Sequence, residues 1–218
     1  MPIFEVVDTV KKIPVVVYAE STPNPAAMKF VANKVLLENG TPLEFMSSAE
    51  AKSSPLAMEL FKFPFIKSVF IAGNYVTVFK DEKLDWDDIT LELREFFREY
   101  LASGKTVVAQ AIKPLPHVEG EFKAPHALEP EVTNEVDHAV PQNELEQKII
   151  ATLEQYIRPA VEQDGGMIVF KSYKDGVVSL LMRGACSGCP SSTVTLKAGI
   201  QAILKKFVPE VVEVVSEW

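Results

Sequence analysis

The chain has 218 residues, 47% of them hydrophobic, with 22 Lys and Arg against 30 Asp and Glu and a formal net charge of -8 at pH 7. That length accommodates two modest domains and a connector, and the acidic balance, without a basic patch, excludes nucleic acid and an anionic membrane surface as partners. No apolar run reaches the length of a bilayer span, and Glu5 and Asp8 beside Lys11 and Lys12 make neither a signal nor a transit peptide, so a cytoplasmic protein is expected.

In chain order, Val15 to Tyr18 reads as a short strand, and Thr22-Pro23-Asn24-Pro25 as a rigid turn, since each proline drives its predecessor out of the helical region. Met28 to Ala32 follows as a strand. Ser54 caps and Pro55 starts a short helix over Leu56 to Phe61. Ile66 to Ile71 and Tyr75 to Phe79 form a hairpin around Gly73-Asn74. Ile89, Leu93, Phe96, Phe97 and Tyr100 recur at helical spacing from Trp86 to Leu101, with Asp85 as cap and Ser103-Gly104 as stop. The aromatic stripe Phe61, Phe63, Phe65 is assigned to core packing rather than to a docking surface.

Residues 104–141 lose the apolar period. Pro114, Pro116, Pro125, Pro130 and Pro141 punctuate a glutamate-rich stretch that reads as a flexible linker, spanning on the order of 35 Å as a coil, and the two domains are expected to move independently. His117, His126 and His138 all lie here, too widely spaced to preorganise a metal site, and read as solvated spacer.

Beyond it, Asn143 and Glu146 make a capping box for a helix carrying Leu145, Ile149, Leu153, Tyr156 and Ala160, strained at Pro159 and stopped by Asp164-Gly165-Gly166. Met167 to Tyr173 and Val177 to Met182 pair as a hairpin through Lys174-Asp175-Gly176. Leu196, Ile200, Ile203, Leu204 and Phe207 mark a second helix, and Val211 to Val215 a last strand. The fold class is therefore α+β: two small α/β two-layer domains, residues 1–103 and 142–218, joined by a flexible Pro/Glu-rich linker.

The two cysteines of the chain, Cys186 and Cys189, sit between that hairpin and that helix. On a strand-to-helix loop, with Pro190 at the helix entrance and Ser191 or Ser192 as cap, they meet unpaired N–H groups and the positive end of the helix dipole, helped by Arg183, and both effects favour thiolate over thiol. A lone CxxC in a reducing cytosol points to a metal or redox site rather than a structural disulfide.

Longer strings resemble the Nfu/NifU-type iron-sulfur cluster carriers over nearly the whole chain. Arg158-Pro159, Asp164-Gly165-Gly166, Gly184, Cys186-Ser187-Gly188-Cys189-Pro190-Ser191-Ser192 and Thr195-Leu196-Lys197-Ala198-Gly199-Ile200 stand in the order and spacing of that family's cluster-binding domain. Thr22-Pro23-Asn24-Pro25, Lys29-Phe30-Val31, Ser54-Pro55-Leu56-Ala57, Val69-Phe70-Ile71, Asn74-Tyr75-Val76-Thr77-Val78 and Trp86 resemble its other domain, with Phe65 where glycine is expected after Pro64. No counterpart of the cysteine-rich and scaffold modules of full NifU proteins is present, so cluster delivery is expected rather than desulfurase-coupled assembly.

Clusters are usually held by four cysteine thiolates, and two per chain require a second subunit. The resemblance implies the same: a [4Fe-4S] cluster, with [2Fe-2S] as the lesser form, held as cofactor by Cys186 and Cys189 of a homodimer formed through the C-terminal domain. It implies loading by an upstream assembly scaffold and stepwise thiolate exchange to apo iron-sulfur acceptor proteins. No substrate bond is made or broken, so no enzyme is expected. Arg183 and Lys197 are candidates for the cluster's surroundings, and the N-terminal domain for recognition of acceptors. The alternatives are a dithiol-disulfide oxidoreductase using the same CxxC and a zinc site collected across a dimer.

Overall fold

The computed structural model describes residues 14–37, 41–109, 138–187 and 190–217, the side chains of 190–194 and 217 excepted. Two sheet-containing units with helices emerge, an α+β protein as the sequence leads one to expect. The bulk of the expected linker lies outside the described residues.

In the N-terminal unit, β1 (Val17–Ser21), β2 (Ala27–Ala32), β3 (Leu43–Phe45), β4 (Ile66–Ala72) and β5 (Tyr75–Lys80) form one antiparallel sheet in the order β1-β2-β5-β4-β3. Strand β3, unforeseen, is only three residues long and pairs at the edge. The helices are α1 (Pro55–Leu60) and α2 (Trp86–Ala102). Ser54 caps α1 by accepting from Ala57 N at 3.1 Å and donating to Val107 O at 2.7 Å, whereas Asp85 makes no side-chain cap for α2. One face of the sheet, with Met28, Phe30, Val69, Ile71, Val76 and Val78, packs on Leu56, Leu93 and Phe97. Phe61, Phe63 and Phe65 pack against this core, as expected for that stripe. Val107 is buried there too, so the unit's packing runs past residue 104.

The C-terminal unit opens with α3 (Glu144–Thr152), capped by Asn143, which accepts from Glu146 N at 2.9 Å. A π-helical turn, Leu153–Ile157, follows, then α4 (Arg158–Gln163). Sequence periodicity predicts one strained helix through Pro159. Breaking it instead puts Pro159 in the first turn of α4, where its missing N–H leaves no helical bond unmade. Strands β6 (Gly166–Lys174) and β7 (Val177–Gly184) are antiparallel, and both turn residues between them, Asp175 (φ 50) and Gly176 (φ 85), are left-handed, as a type I′ hairpin needs. Helix α5 (Pro190–Phe207) crosses back so that β8 (Glu213–Glu217) runs parallel to β7. Ile168, Phe170, Leu180 and Met182 pack on Ile149, Leu153, Ile200 and Leu204.

His138 corrects the reading of solvated spacer. Its Nδ1 accepts from Phe170 N at 2.8 Å, its Nε2 lies 2.6 Å from Glu154 Oε1, and Ala139 N donates to Phe170 O at 2.9 Å. The two residues thus cover part of edge strand β6, where its ladder to β7 slips between Phe170 and Ser172.

The strand alternation leaves each sheet a second face, and these meet. Val31, Phe70, Ala72 and Tyr75 of the N-terminal sheet bury Met167 and Val169 of β6, with Phe79 and Leu181 at the margin. The two units, expected to move independently on their linker, are stacked here sheet on sheet, with helices outside both. The reason is period two: β2, β4 and β5 carry apolar residues on both faces, as strands buried on both sides do.

Candidate functional site

The loop holding Cys186 begins where β7 ends. Gly184 adopts φ +63, which an L side chain rarely takes, and the turn closes through Ser187 N and Ser187 Oγ, both donating to Gly184 O at 2.9 and 2.8 Å. Ala185 N donates to Gly165 O at 3.1 Å, tying the loop to the Asp164-Gly165-Gly166 turn. Cys186 is 4% exposed and packs with the C-terminal core. A side chain at Gly166 would put its Cβ 2.5 Å from Cys186 Sγ and 2.9 Å from Arg183 O, so this glycine makes the room in which the sulfur sits. Helix α5 starts at Pro190, four residues on, with its N-terminus toward the loop's end. Cys189, the other expected ligand, and the Ser191 and Ser192 caps lie outside what is described.

Contacts that sequence reasoning did not foresee come from the N-terminal unit. The Asn24 side chain has its Oδ1 engaged by Ala26 N at 3.0 Å, which turns Nδ2 toward the loop; it donates to Ala185 O at 3.3 Å and Ser187 O at 3.2 Å, one on each side of Cys186. Trp86 Nε1 holds neighbouring Pro25 O at 2.9 Å. Thr77 Oγ1 donates to Gly165 O at 2.8 Å, Tyr75 OH to Gly166 O at 3.3 Å, and Lys29 Nζ to Gln163 O at 3.2 Å. Gly184 N donates to Glu44 Oε1 at 3.2 Å. The Thr22-Pro23-Asn24-Pro25 turn, read from sequence as fixing its own loop, therefore reaches the cysteine loop as well. One signal was available: Lys29 and Thr77 are polar positions inside otherwise apolar strands, and both are buried.

Burial dominates the electrostatics. It pushes the carboxyls of Glu44, Glu162 and Asp164 up, against the pull of Gly184 N and Arg183 on Glu44, of Arg158 and Lys29 on Glu162, and of Lys29 on Asp164. The Tyr75 phenol is also pushed up, first by burial and then by the negative charges of Glu162 and Cys186. Arg183 stands at the end of β7 and acts on Glu44, while Lys197 Nζ lies 3.7 Å from Glu213 Oε1. Among the described residues, no three His, Cys, Asp or Glu side chains gather to hold a metal ion, and no helix is long and apolar enough to cross a membrane.

Both units are similar to known families. Residues 17–104 match the family described as scaffold protein Nfu/NifU N terminal, and residues 149–215 the NifU-like domain. The mitochondrial NFU1 iron-sulfur cluster scaffold homolog of Drosophila persimilis is 35% identical over 207 residues, which are 95% of this chain and 67% of that protein. That of Drosophila virilis is 36% identical over 195 residues, 89% of this chain and 59% of that protein, and that of Homo sapiens 34% over 200 residues, 89% and 69%. The chain thus spans about three fifths to two thirds of the length of these relatives, whose names place them in mitochondria rather than in the expected cytoplasm. A solution structure of a NifU-like protein from Saccharomyces cerevisiae covers 45% of this chain and 89% of its own at 23% identity, with a TM-score of 0.41, too slight a likeness to bear on the fold.

Proposed function

Because the chain belongs to the Nfu family of iron-sulfur cluster scaffold proteins, we propose that it carries an iron-sulfur cluster on Cys186 and Cys189 and passes it to apo acceptor proteins. The observation that supports this most is the seat of Cys186: a sulfur at the end of a strand, accommodated by Gly166 and followed within four residues by a helix N-terminus. The helix start lies close enough for its positive end to act on iron-bound sulfur once the buried side chain turns toward the cluster.

The cluster is cargo, and the chain offers it two cysteines where four thiolates are usual. A second copy supplies the other two, giving a [4Fe-4S] cluster bridged between C-terminal domains, residues 142–218, of a homodimer. The protein's own contribution is to hold two thiolates at the end of the central strand of a three-stranded sheet, just before a helix N-terminus. Delivery proceeds as an acceptor's thiolates replace Cys186 and Cys189 one at a time, without any substrate bond made or broken. A reducing compartment, the cytosol among them, keeps the pair available as ligands.

The test is anaerobic reconstitution with iron and sulfide on the wild-type chain, Cys186→Ala and Cys189→Ala, read by iron and sulfide content, Mössbauer spectra and mass in solution. About two irons and two sulfides per chain in a dimer, lost in both variants, is the expected result. No uptake, with a Cys186–Cys189 disulfide of defined potential instead, overturns it in favour of dithiol-disulfide exchange.

A further inference from the structure

We propose that the N-terminal unit is a lid over the cysteine loop, clasped through Asn24, and that cluster uptake requires the two units to part. The lid is made of elements that have another purpose within their own unit. The inner face of the N-terminal sheet packs on α1 and α2, while its outer face presents Val31, Phe70 and Tyr75 to β6 and a row of donors to the loop. Those donors address backbone carbonyls: Asn24 takes Ala185 O and Ser187 O, Thr77 takes Gly165 O and Tyr75 takes Gly166 O. Backbone acceptors are a surface that any side chain on the loop would leave unchanged, so the clasp reads the loop's conformation.

Closure and bridging compete for the same space. A thiolate shared with a second chain must face outward, but Cys186 is 4% exposed, its sulfur turned in against Gly166 and the C-terminal core, with Asn24 bonded across both flanking peptides. Asn24 thereby holds the loop in its inward-facing conformation, and no second chain reaches the sulfur until the clasp lets the loop turn out. Phe70 adds to the obstruction, since its ring stands 3.0 Å from where a Cβ on Gly184 would lie. The contact is also strong enough to matter: it buries two aromatic rings and leaves Asn24 and Thr77 almost without exposure. Parting the units costs those hydrogen bonds together with the apolar contact, so the closed form prevails until iron and sulfide trap the open one.

This rests on the reading of Cys186 as a cluster ligand, but its first test does not. In full-length Cys189→Ser, where one thiol reports, the rate of reaction with a disulfide reagent in iron-free anaerobic buffer measures opening. The thiol should react at least about tenfold slower than in an unfolded peptide of the same sequence, and Asn24→Ala combined with Thr77→Val should recover about tenfold. Glu44→Ala, on another strand, should raise the rate independently, and far-UV circular dichroism confirms that each variant folds. In chains with both cysteines, Asn24→Ala/Thr77→Val should take up iron faster to the same final content. A Cys186 thiol as reactive in full-length Cys189→Ser as in the peptide, or variants that leave the rate unchanged, overturns the lid. Protected thiols with no iron uptake by any form would sink the carrier reading and leave the lid standing.

Discussion

Gly166 and Cys186 fit together as socket and sulfur: a methyl group on the glycine would lie 2.5 Å from Sγ and 3.0 Å from the Cys186 Cβ. Contacts that short force one side to move, and the neighbours here are backbone and a packed side chain. Gly166→Ala should therefore destabilise the C-terminal unit by about 1–3 kcal/mol and displace the thiol. Thermal unfolding and iron content after reconstitution check this, and a variant that binds iron normally would show that the sulfur leaves the socket on loading.

Leu93 is fully buried in the N-terminal core, which shares no residue with the core around Cys186. Leu93→Ala should cost about 2–5 kcal/mol in the N-terminal unit while leaving iron content unchanged. Denaturant unfolding followed by Trp86 fluorescence in a Trp218→Phe background, beside iron analysis, separates the two effects. A parallel loss of iron would mean that the units fold as one.

Glu154 binds a charge-dependent link between residue 138 and α4. Burial raises its carboxyl, but the hydrogen bond to His138 and the charge of Arg158, whose Nε lies 2.8 Å away, outweigh it and hold the group below the ordinary carboxylate value. A depressed acid lends stability above its unfolded pKa and loses it as pH falls through the folded one. Wild type and Glu154→Gln should thus differ by about 1 kcal/mol at about pH 6 and converge below about pH 4. Urea midpoints across that range decide the matter; a constant gap would exclude ionisation as its source.

Ser54 both caps α1 and donates to Val107 O, with no solvent exposure. Ser54→Ala removes both bonds and should cost about 1–3 kcal/mol, more than an exposed cap, while Ser54→Thr should recover part of it. Melting temperatures of the three proteins give the comparison.

Local chemistry carried most of the fold in the sequence. Ser54-Pro55, Gly73-Asn74, Asn143 with Glu146, and Asp175-Gly176 each dictate a cap or turn by their own side chains and φ preferences, and each is found where expected. The helix through Pro159 was half legible, because periodicity reports the buried face but not that a π turn keeps it in register across the break. Strand β3 was missed because three residues carry no period. Of the site, the CxxC loop's place between β7 and α5 was readable, while the Asn24 contacts were not. They join residues more than 160 positions apart through backbone acceptors, which leave no trace in residue type. The doubled apolar faces of β2 and β5 were the one hint, since a sheet with helices on one side has no reason to carry Val31, Tyr75 and Phe79 on the other.

Nothing in the stacked sheets is peculiar to one copy, because Asn24, Thr77 and Lys29 bind main-chain oxygens that every copy presents alike. Two chains therefore have a reciprocal arrangement open to them, each N-terminal sheet seated on the other's hairpin with all of these bonds kept. Its share rises with protein concentration, as intermolecular partners begin to rival the tethered one. A concentrated metal-free preparation would then hold exchanged pairs that scatter light as dimers with their thiols covered, told from the bridged form by the lack of iron, sulfide and colour.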